Sequence, residues 1–494
     1  MTYAFIFDAS ACSGCKACQV ACKDKNNLPL GVLWRRVYEV SGGSWKQYGD
    51  AWVTDVFAYN LTIACNHCVH PKCAGVCPTD AFVVRSDGIV YIDESKCMGC
   101  GYCSWACPYA APRYNHESGV MTKCNFCYDN LDAGLPPACV AACPLRVLDF
   151  AEIRDQGVEN SGQFSEGAKK LWEVPANEHP FPLPDYSRTE PHLAIKPHTA
   201  MNNMLEKVVS NHEEIRPQAM VRRTIFKGMF IGGKTTRLKS FISKVRVDAQ
   251  RASNELPLVA FSLLGQMAAG MAVFSFFSGP LTVPLLATLG SLIGLAGLAS
   301  LSHLGTPLNA WRVLAHLKKS WLSREILMFA LFGASWLISL AVPGMGKLPL
   351  SLCGIGLIYS MAQVYRLRSI PAWDTDRTLL AFAVSASLLG ILGLKVVDYL
   401  ADAAGVRYPP LGLVLVIGLA IAFLLSLSER DPAHQTARRL RPGLIGLGLA
   451  GMVVMYILPD LAGSWIIVPI FIIVLIEEGL GRWLFYEHLH CRNL

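Results

Sequence analysis

The chain has 494 residues, 52% of them hydrophobic and only 16% charged, with a formal net charge of +7 and eighteen cysteines. So little charge excludes an ordinary soluble protein, in which about a quarter of the residues are charged. Length excludes a small disulfide-stapled scaffold and hydrophobicity excludes a disordered chain. The average conceals a division: sixteen cysteines lie between Cys12 and Cys143, and every long apolar run follows Leu256. We expect a metal-rich soluble module over residues 1–200, a basic connector over 201–254 and a membrane module over 255–494. The first residues, MTYAFIFDASAC, read as a β-strand entering a cysteine motif, with no cleaved signal expected.

Four cysteine groups follow. Cys12, Cys15, Cys18 and Cys22 have the spacing C-x2-C-x2-C-x3-C, which Cys97, Cys100, Cys103 and Cys107 repeat. Cys65, Cys68, Cys73 and Cys77 have four residues in their central gap, and Cys124, Cys127, Cys139 and Cys143 have eleven. Pro78, Pro108 and Pro144 follow the last cysteine of three groups, where the first group has Lys23. Three thiolates this close form a loop that seizes three corners of an iron–sulfur cube. In two-cluster ferredoxins the fourth cysteine ligates the other cluster. Sixteen cysteines in four groups therefore predict four [4Fe–4S] clusters. Disulfides would need an oxidising compartment, and cysteines this close make poor pairing partners. Zinc uses paired C-x2-C units, a pattern that only the fourth group, taken alone, mimics. Between groups two and three, AFVVR and IVYID flank Ser86-Asp87-Gly88, which predicts a β-hairpin. Groups two and three then make one two-cluster unit, enclosed by groups one and four as a second.

The segments CSGCKACQVACKDKNNLPLG, WRRVYEVSGGSW, DVFAYNLTIACNHC, CMGCGYCSWACPYAAPRYN and PHLAIKPH resemble the iron–sulfur subunit of bacterial dimethyl sulfoxide reductase, over about residues 3 to 200. The resemblance implies an α+β ferredoxin-like domain in which three cysteines of each group share a cluster with a distant fourth. Cys12, Cys15 and Cys18 would take Cys143, and Cys124, Cys127 and Cys139 would take Cys22. Likewise Cys65, Cys68 and Cys73 would take Cys107, and Cys97, Cys100 and Cys103 would take Cys77. Some relatives replace a third-group cysteine by tryptophan and hold a [3Fe–4S] cluster; here all four are present.

From about Asp149 to Glu255 the composition turns polar, and Arg222, Arg223, Lys227, Lys234, Arg237, Lys239, Lys244, Arg246 and Arg251 crowd its end. Beside a membrane module this reads as a segment attracted to anionic lipid rather than a plain solvated linker. Gly232-Gly233-Lys234-Thr235 resembles part of a phosphate loop but lacks the first glycine and a preceding strand. Neither nucleotide nor nucleic acid is expected as a partner.

Eight apolar segments come next, at about 256–277, 281–303, 325–343, 350–367, 378–398, 410–428, 443–459 and 464–485. Each approaches the ~20 residues that span a bilayer, predicting an all-α polytopic bundle of eight transmembrane helices. Loops on the side of the N-terminus hold Arg312, Lys318, Lys319, Arg324, Arg366, Arg368, Arg377, Arg430, Arg438, Arg439 and Arg441, against Lys347, Lys395 and Arg407 opposite. The positive-inside rule then puts the iron–sulfur domain on the cytoplasmic side of the bacterial inner membrane. Only His303 lies in a span, so intramembrane haem, which needs paired histidines, is not expected. A quinone or menaquinone is the expected electron carrier.

The segments NELPLVAFSLLGQMAAG, HLGTPLNAW, SWLSREIL, VYRLRSIPAW and EEGLGRWLFYEHLH resemble the membrane anchor subunit of the same family, over about residues 254 to 490. Quinol oxidation needs a proton acceptor beside the ring. His303, at the end of the second span, and Glu325, at the start of the third, are the expected quinol-site residues, with Arg366 a weaker one. Glu478 and Arg482, four apart on the last span, read as a structural pair. The resemblance implies a non-catalytic electron-transfer and anchor subunit, working with a separate molybdopterin-containing catalytic subunit in anaerobic respiration. The same residues are compatible with reverse flow, as in a sulfite or other sulfur-compound dehydrogenase. A redox-linked ion pump is the other reading, disfavoured because mid-span carboxylates are almost absent.

Overall fold

The computed structural model describes residues 2–42, 45–54, 56–153, 183–184, 188–198, 255–277, 280–342, 345–370, 373–401, 417–418, 421, 435–457 and 465–490. The chain divides into two compact units, Met1–Ala249 with Cys491–Leu494, and Gln250–His490. The basic connector lies outside the described residues, as does most of the segment expected at 410–428.

The first unit opens on β1 (Thr2–Asp8), whose consecutive residues Ala4, Phe5, Ile6 and Phe7 are all buried. Burial on both faces explains its unbroken apolar run, because this strand is the middle of a three-stranded sheet. It pairs antiparallel with β10 (Leu148–Ile153) and parallel with β11 (Leu193–Lys196). A second sheet pairs β2 (Arg36–Gly42) with β5 (Phe57–Ile63), and between them β3 (Trp45–Tyr48) and β4 (Ala51–Thr54) form an exposed hairpin. The hairpin expected between groups two and three is β6 (Phe82–Val84) with β7 (Val90–Ile92), turning through Gly88 at φ +77°. A matching hairpin, β8 (Arg113–Asn115) with β9 (Val120–Thr122), joins groups three and four. Short helices α1 (Ala17–Lys25), α2 (Lys72–Val76), α3 (Tyr102–Ala106), α4 (Tyr128–Asp132) and α5 (Ala138–Ala141) lie within the cysteine groups. One core contains most of the buried cysteines together with Phe5, Phe7, Trp34, Leu61, Ile89 and Phe126.

The second unit is helical. Five described helices are long and apolar enough to cross a membrane: α6 (Leu256–Ser275), α7 (Val283–Ser302), α8 (Trp321–Ala341), α9 (Lys347–Tyr365) and α10 (Asp376–Leu400). Prolines in the first turn start α6 and α7, where a missing N–H costs no helical bond, and the Thr282 and Ser320 hydroxyls cap α7 and α8. A 3-10 helix, Pro307–His316, links α7 to α8. Two more helices, α11 (Gln435–Ile457) and α12 (Ile467–His490), cover the last two expected segments, but both also carry several charged residues. α6 and α10 are the most buried of the five spans, while α7 and α8 leave most of their apolar surface outward, as lipid-facing helices do.

Candidate functional site

The cysteine loops share one backbone device. The residue before the second cysteine of each group has positive φ: Gly14 at +70°, His67 at +44°, Gly99 at +73° and Phe126 at +60°. That left-handed turn folds the first two cysteines of a group around a common point. Glycine adopts it freely, whereas His67 and Phe126 must be held there. The His67 imidazole accepts the Val90 N–H through Nδ1 at 3.0 Å and meets the Phe126 ring edge-on. Burial, then the nearby Lys123, lowers its pKa well below the usual histidine value, so the ring stays neutral and able to accept. Phe126 is fully buried and stacks on Phe5 at 4.1 Å.

Folding gathers the thiols into four quartets that mix the sequence groups. Cys12 has Cys15, Cys18 and Cys143 as electrostatic neighbours. Cys22 faces Cys139 and Cys127, and Cys124 faces Cys22 and Cys127. Around Cys73 lie Cys107, Cys65 and Cys68, and around Cys103 lie Cys100, Cys77 and Cys97. Neighbouring quartets meet at Cys18 and Cys139, at Cys124 and Cys65, and at Cys73 and Cys103, so they follow one another in a row.

The quartets suit a cluster better than a single ion. Tetrahedral zinc with Zn–S near 2.3 Å needs sulfurs about 3.8 Å apart. Among the described residues no three Cys, His, Asp or Glu side chains converge that closely. Instead, Cys12, Cys15, Cys18 and Cys143 together line one pocket. Cys65, Cys68, Cys73 and Cys107 line another. No described cysteine is in a disulfide. Backbone N–H groups aim at the sulfurs: Gly99 and Met121 at Cys97, Phe126 at Cys124, and Ala81 at Cys77, each at 3.4 Å, with Ala111 at Cys107 at 3.5 Å. Burial pushes the Cys22 and Cys68 thiols up to about 12, so thiolates there require positive charge close by.

Three buried cations stand by these sulfurs, none singled out by motif spacing: Arg36, which faces Cys107, Lys123 and Arg35. Lys123, 3% exposed, donates to Cys65 Sγ at 3.2 Å, to the Cys124 carbonyl at 3.0 Å and to the Val90 carbonyl. Arg35, 2% exposed, lies over the Phe5 ring at 4.3 Å and donates to Thr62 Oγ1 at 3.4 Å. The available signals were their positions: Lys123 precedes Cys124, and Arg35 lies in the WRRVYE segment.

In the second unit His303 closes the C-terminus of α7, and its Nδ1 is 3.9 Å from Glu255 Oε2. Glu255, just ahead of α6 and 4% exposed, lies in the NELPLVAF segment but was not among the expected site residues. Glu325 is equally buried in the first turns of α8. Arg324 does not pair with it: the guanidinium donates to the carbonyls of Leu317 and Lys318 and stacks on Trp321. Tyr365, within Coulombic reach of both Glu325 and Glu255, shares a hydrogen bond with the Tyr486 hydroxyl. Arg366 turns to Asp376 at 3.1 Å and Asp374 at 4.0 Å. Glu478 and Arg482 are electrostatic neighbours and each has a further partner: Ser385 donates to Glu478 at 2.6 Å, and Arg482 donates to Gln266 at 2.8 Å while covering the Phe382 ring.

Residues 56–153 match the family model described as 4Fe-4S dicluster domain, and residues 250–487 match the DMSO reductase anchor subunit model. Over 195 residues the sequence is 46% identical to one polypeptide of the anaerobic dimethyl sulfoxide reductase of Escherichia coli, covering 40% of this chain and 88% of that protein. It is 44% identical over 196 residues to the corresponding Haemophilus influenzae polypeptide, covering 40% and 89%. One subunit of the tetrathionate reductase of Salmonella typhimurium is 41% identical over 155 residues, covering 31% and 59%.

Proposed function

Because this chain belongs to the dimethyl sulfoxide reductase family, joining its iron–sulfur subunit to its membrane anchor in one polypeptide, we propose that it carries electrons between the membrane quinone pool and a separate molybdopterin-containing catalytic subunit. The observation that carries this reading is the row of four thiol quartets in the same chain as the anchor helices. Four [4Fe–4S] clusters, each held by three cysteines of one group and a fourth from another, supply stepwise one-electron transfer when bound. The sixteen cysteines hold them, and the backbone N–H groups aimed at the sulfurs offset thiolate charge.

In the anchor, His303 is the proposed proton acceptor for quinol, with Glu325 lining the same site and Arg366 at its margin. Oxidising one quinol releases two electrons and two protons. A proton taken by His303 makes an imidazolium whose Nδ1 faces the Glu255 carboxylate, which stabilises the charged form. Eight membrane helices, with the iron–sulfur domain on the cytoplasmic face, complete the proposal.

The test separates quinol chemistry from cluster integrity. In membranes containing the loaded protein, His303→Ala should lower the rate of quinol-dependent cluster reduction by about 10²-fold or more, the contribution of a positioned acid–base group. Reduction by dithionite should be unchanged. Unaltered quinol kinetics would remove His303 from the site.

A further inference from the structure

A lysine or arginine is almost never fully buried unless its charge is balanced. Lys123 and Arg35 are both buried, and the anions that face them are thiolates. Cys65, Cys73 and Cys124 surround Lys123, while Cys139, Cys124, Cys18 and Cys22 surround Arg35. Their placement follows the row of quartets. Arg35 stands between the quartet containing Cys12 and the quartet containing Cys22, with its guanidinium buried over the Phe5 ring and hydrogen-bonded to Thr62. Lys123 stands at the next junction, between Cys65 and Cys124. In the last quartet, the chief charged neighbours of Cys97, Cys100 and Cys103 are other cysteines and Glu94.

We propose that Lys123 and Arg35 are electrostatic positioning residues that raise the reduction potentials of the clusters they face, Lys123 through its hydrogen bond to Cys65 Sγ and Arg35 through its buried guanidinium charge. The inference rests on the cluster reading given above. Reduction adds one electron to a buried cluster with no bond made or broken, so the site becomes more negative by one charge. A fixed cation a few ångströms away favours that state over the oxidised one, more strongly where the dielectric is low. A donor on the ligating sulfur acts in the same direction by drawing off thiolate charge.

The experiment is an EPR-monitored redox titration of the full-length protein with its clusters loaded, the signals assigned through a Cys→Ser variant in each quartet. Lys123→Met keeps the aliphatic stem and removes the charge. It should make the cluster of Cys65, Cys68, Cys73 and Cys107 about tenfold harder to reduce, a shift of about 59 mV to more negative potential for one electron. Lys123→Arg should restore most of the difference. Arg35→Gln should lower the two clusters it separates. The cluster of Cys77, Cys97, Cys100 and Cys103 should hold its potential in every variant. Lys123 also ties two carbonyls, so a merely structural role predicts a different result: lost iron, or unchanged potentials at full iron content.

Unchanged potentials in a fully loaded Lys123→Met protein would overturn the assignment for Lys123, and the same outcome in Arg35→Gln would overturn it for Arg35. Where a variant does not load, wild-type protein labelled with 15N-lysine or 15N-arginine decides. Pulsed EPR of the reduced clusters should detect a coupled label nitrogen, and its absence overturns the corresponding assignment. A wild-type iron content well below about sixteen per chain is a separate failure, that of the four-cluster reading.

Discussion

At the scale of single residues, the cysteine loops record how one conformation is reached by different chemistry. Gly14 and Gly99 adopt the left-handed turn at little cost, and a Cβ on Gly14 would come within 3.0 Å of the Asn60 amide. His67 and Phe126 reach it because tertiary contacts, a backbone hydrogen bond and an aromatic stack, hold them there. The glycines fit a pattern visible in the sequence, whereas the histidine and phenylalanine do not, because what fixes them lies on β7 and β1. The same contrast separates the sixteen cysteines, legible from spacing, from Arg35, Lys123 and Glu255, whose neighbours come from remote parts of the chain. Cys77 gives the residue-scale prediction. It is four residues from Cys73 but faces Cys103, Cys100 and Cys97. Cys77→Ser should therefore alter the EPR signal of the cluster held by those three and leave the Cys65 quartet's signal intact. An altered Cys65 signal alone would refute the crossed arrangement.

At the scale of elements, periodicity and turn chemistry were informative where an element is locally determined. The strand at the N-terminus and the hairpin through Gly88 could be read directly. The hairpin of β8 and β9 was not legible, because RYN and VMT are short and the turn between them lacks an Asn-Gly or Asp-Gly pair. Among the membrane helices, length and hydropathy indicate candidate spans but not packing. α6 meets α10 where Gly270 opposes Ala386 and Gly390: a Cβ on Gly390 would lie 2.4 Å from the Gly270 carbonyl carbon. α6 also approaches α9, where Gly354 packs over Ala269. Small residues permit backbone contact between helices that gain nothing from water exclusion inside lipid. Gly390→Leu should force α6 and α10 apart and destabilise the anchor by about 1–3 kcal/mol or more, read as a lower unfolding temperature in detergent. Leu298→Ala, at an exposed position on α7, should leave that temperature within about a degree or two, since surface changes are worth under 0.5 kcal/mol.

At the scale of the whole molecule, the sixteen cysteines of the four groups and the long apolar runs belong to different units. Loop charge still carries the orientation proposal. A reporter fused after Leu494 should be active only when its fold requires the cytoplasm, and activity of a periplasm-specific reporter would reverse the assignment. The central position of β1 has a further consequence for synthesis. Its partners are residues 148–153 and 193–196, and Cys12 has Cys143 in its quartet. This strand is thus completed by nearly the last described part of its unit, and the first cysteine group waits open for more than a hundred residues. At about 5–20 residues per second, that interval lasts from several seconds to half a minute. On the proposed cluster reading, iron loading and sheet closure at this end of the row would be late events, and the nascent chain's early thiols would be the ones most in need of protection from oxidation.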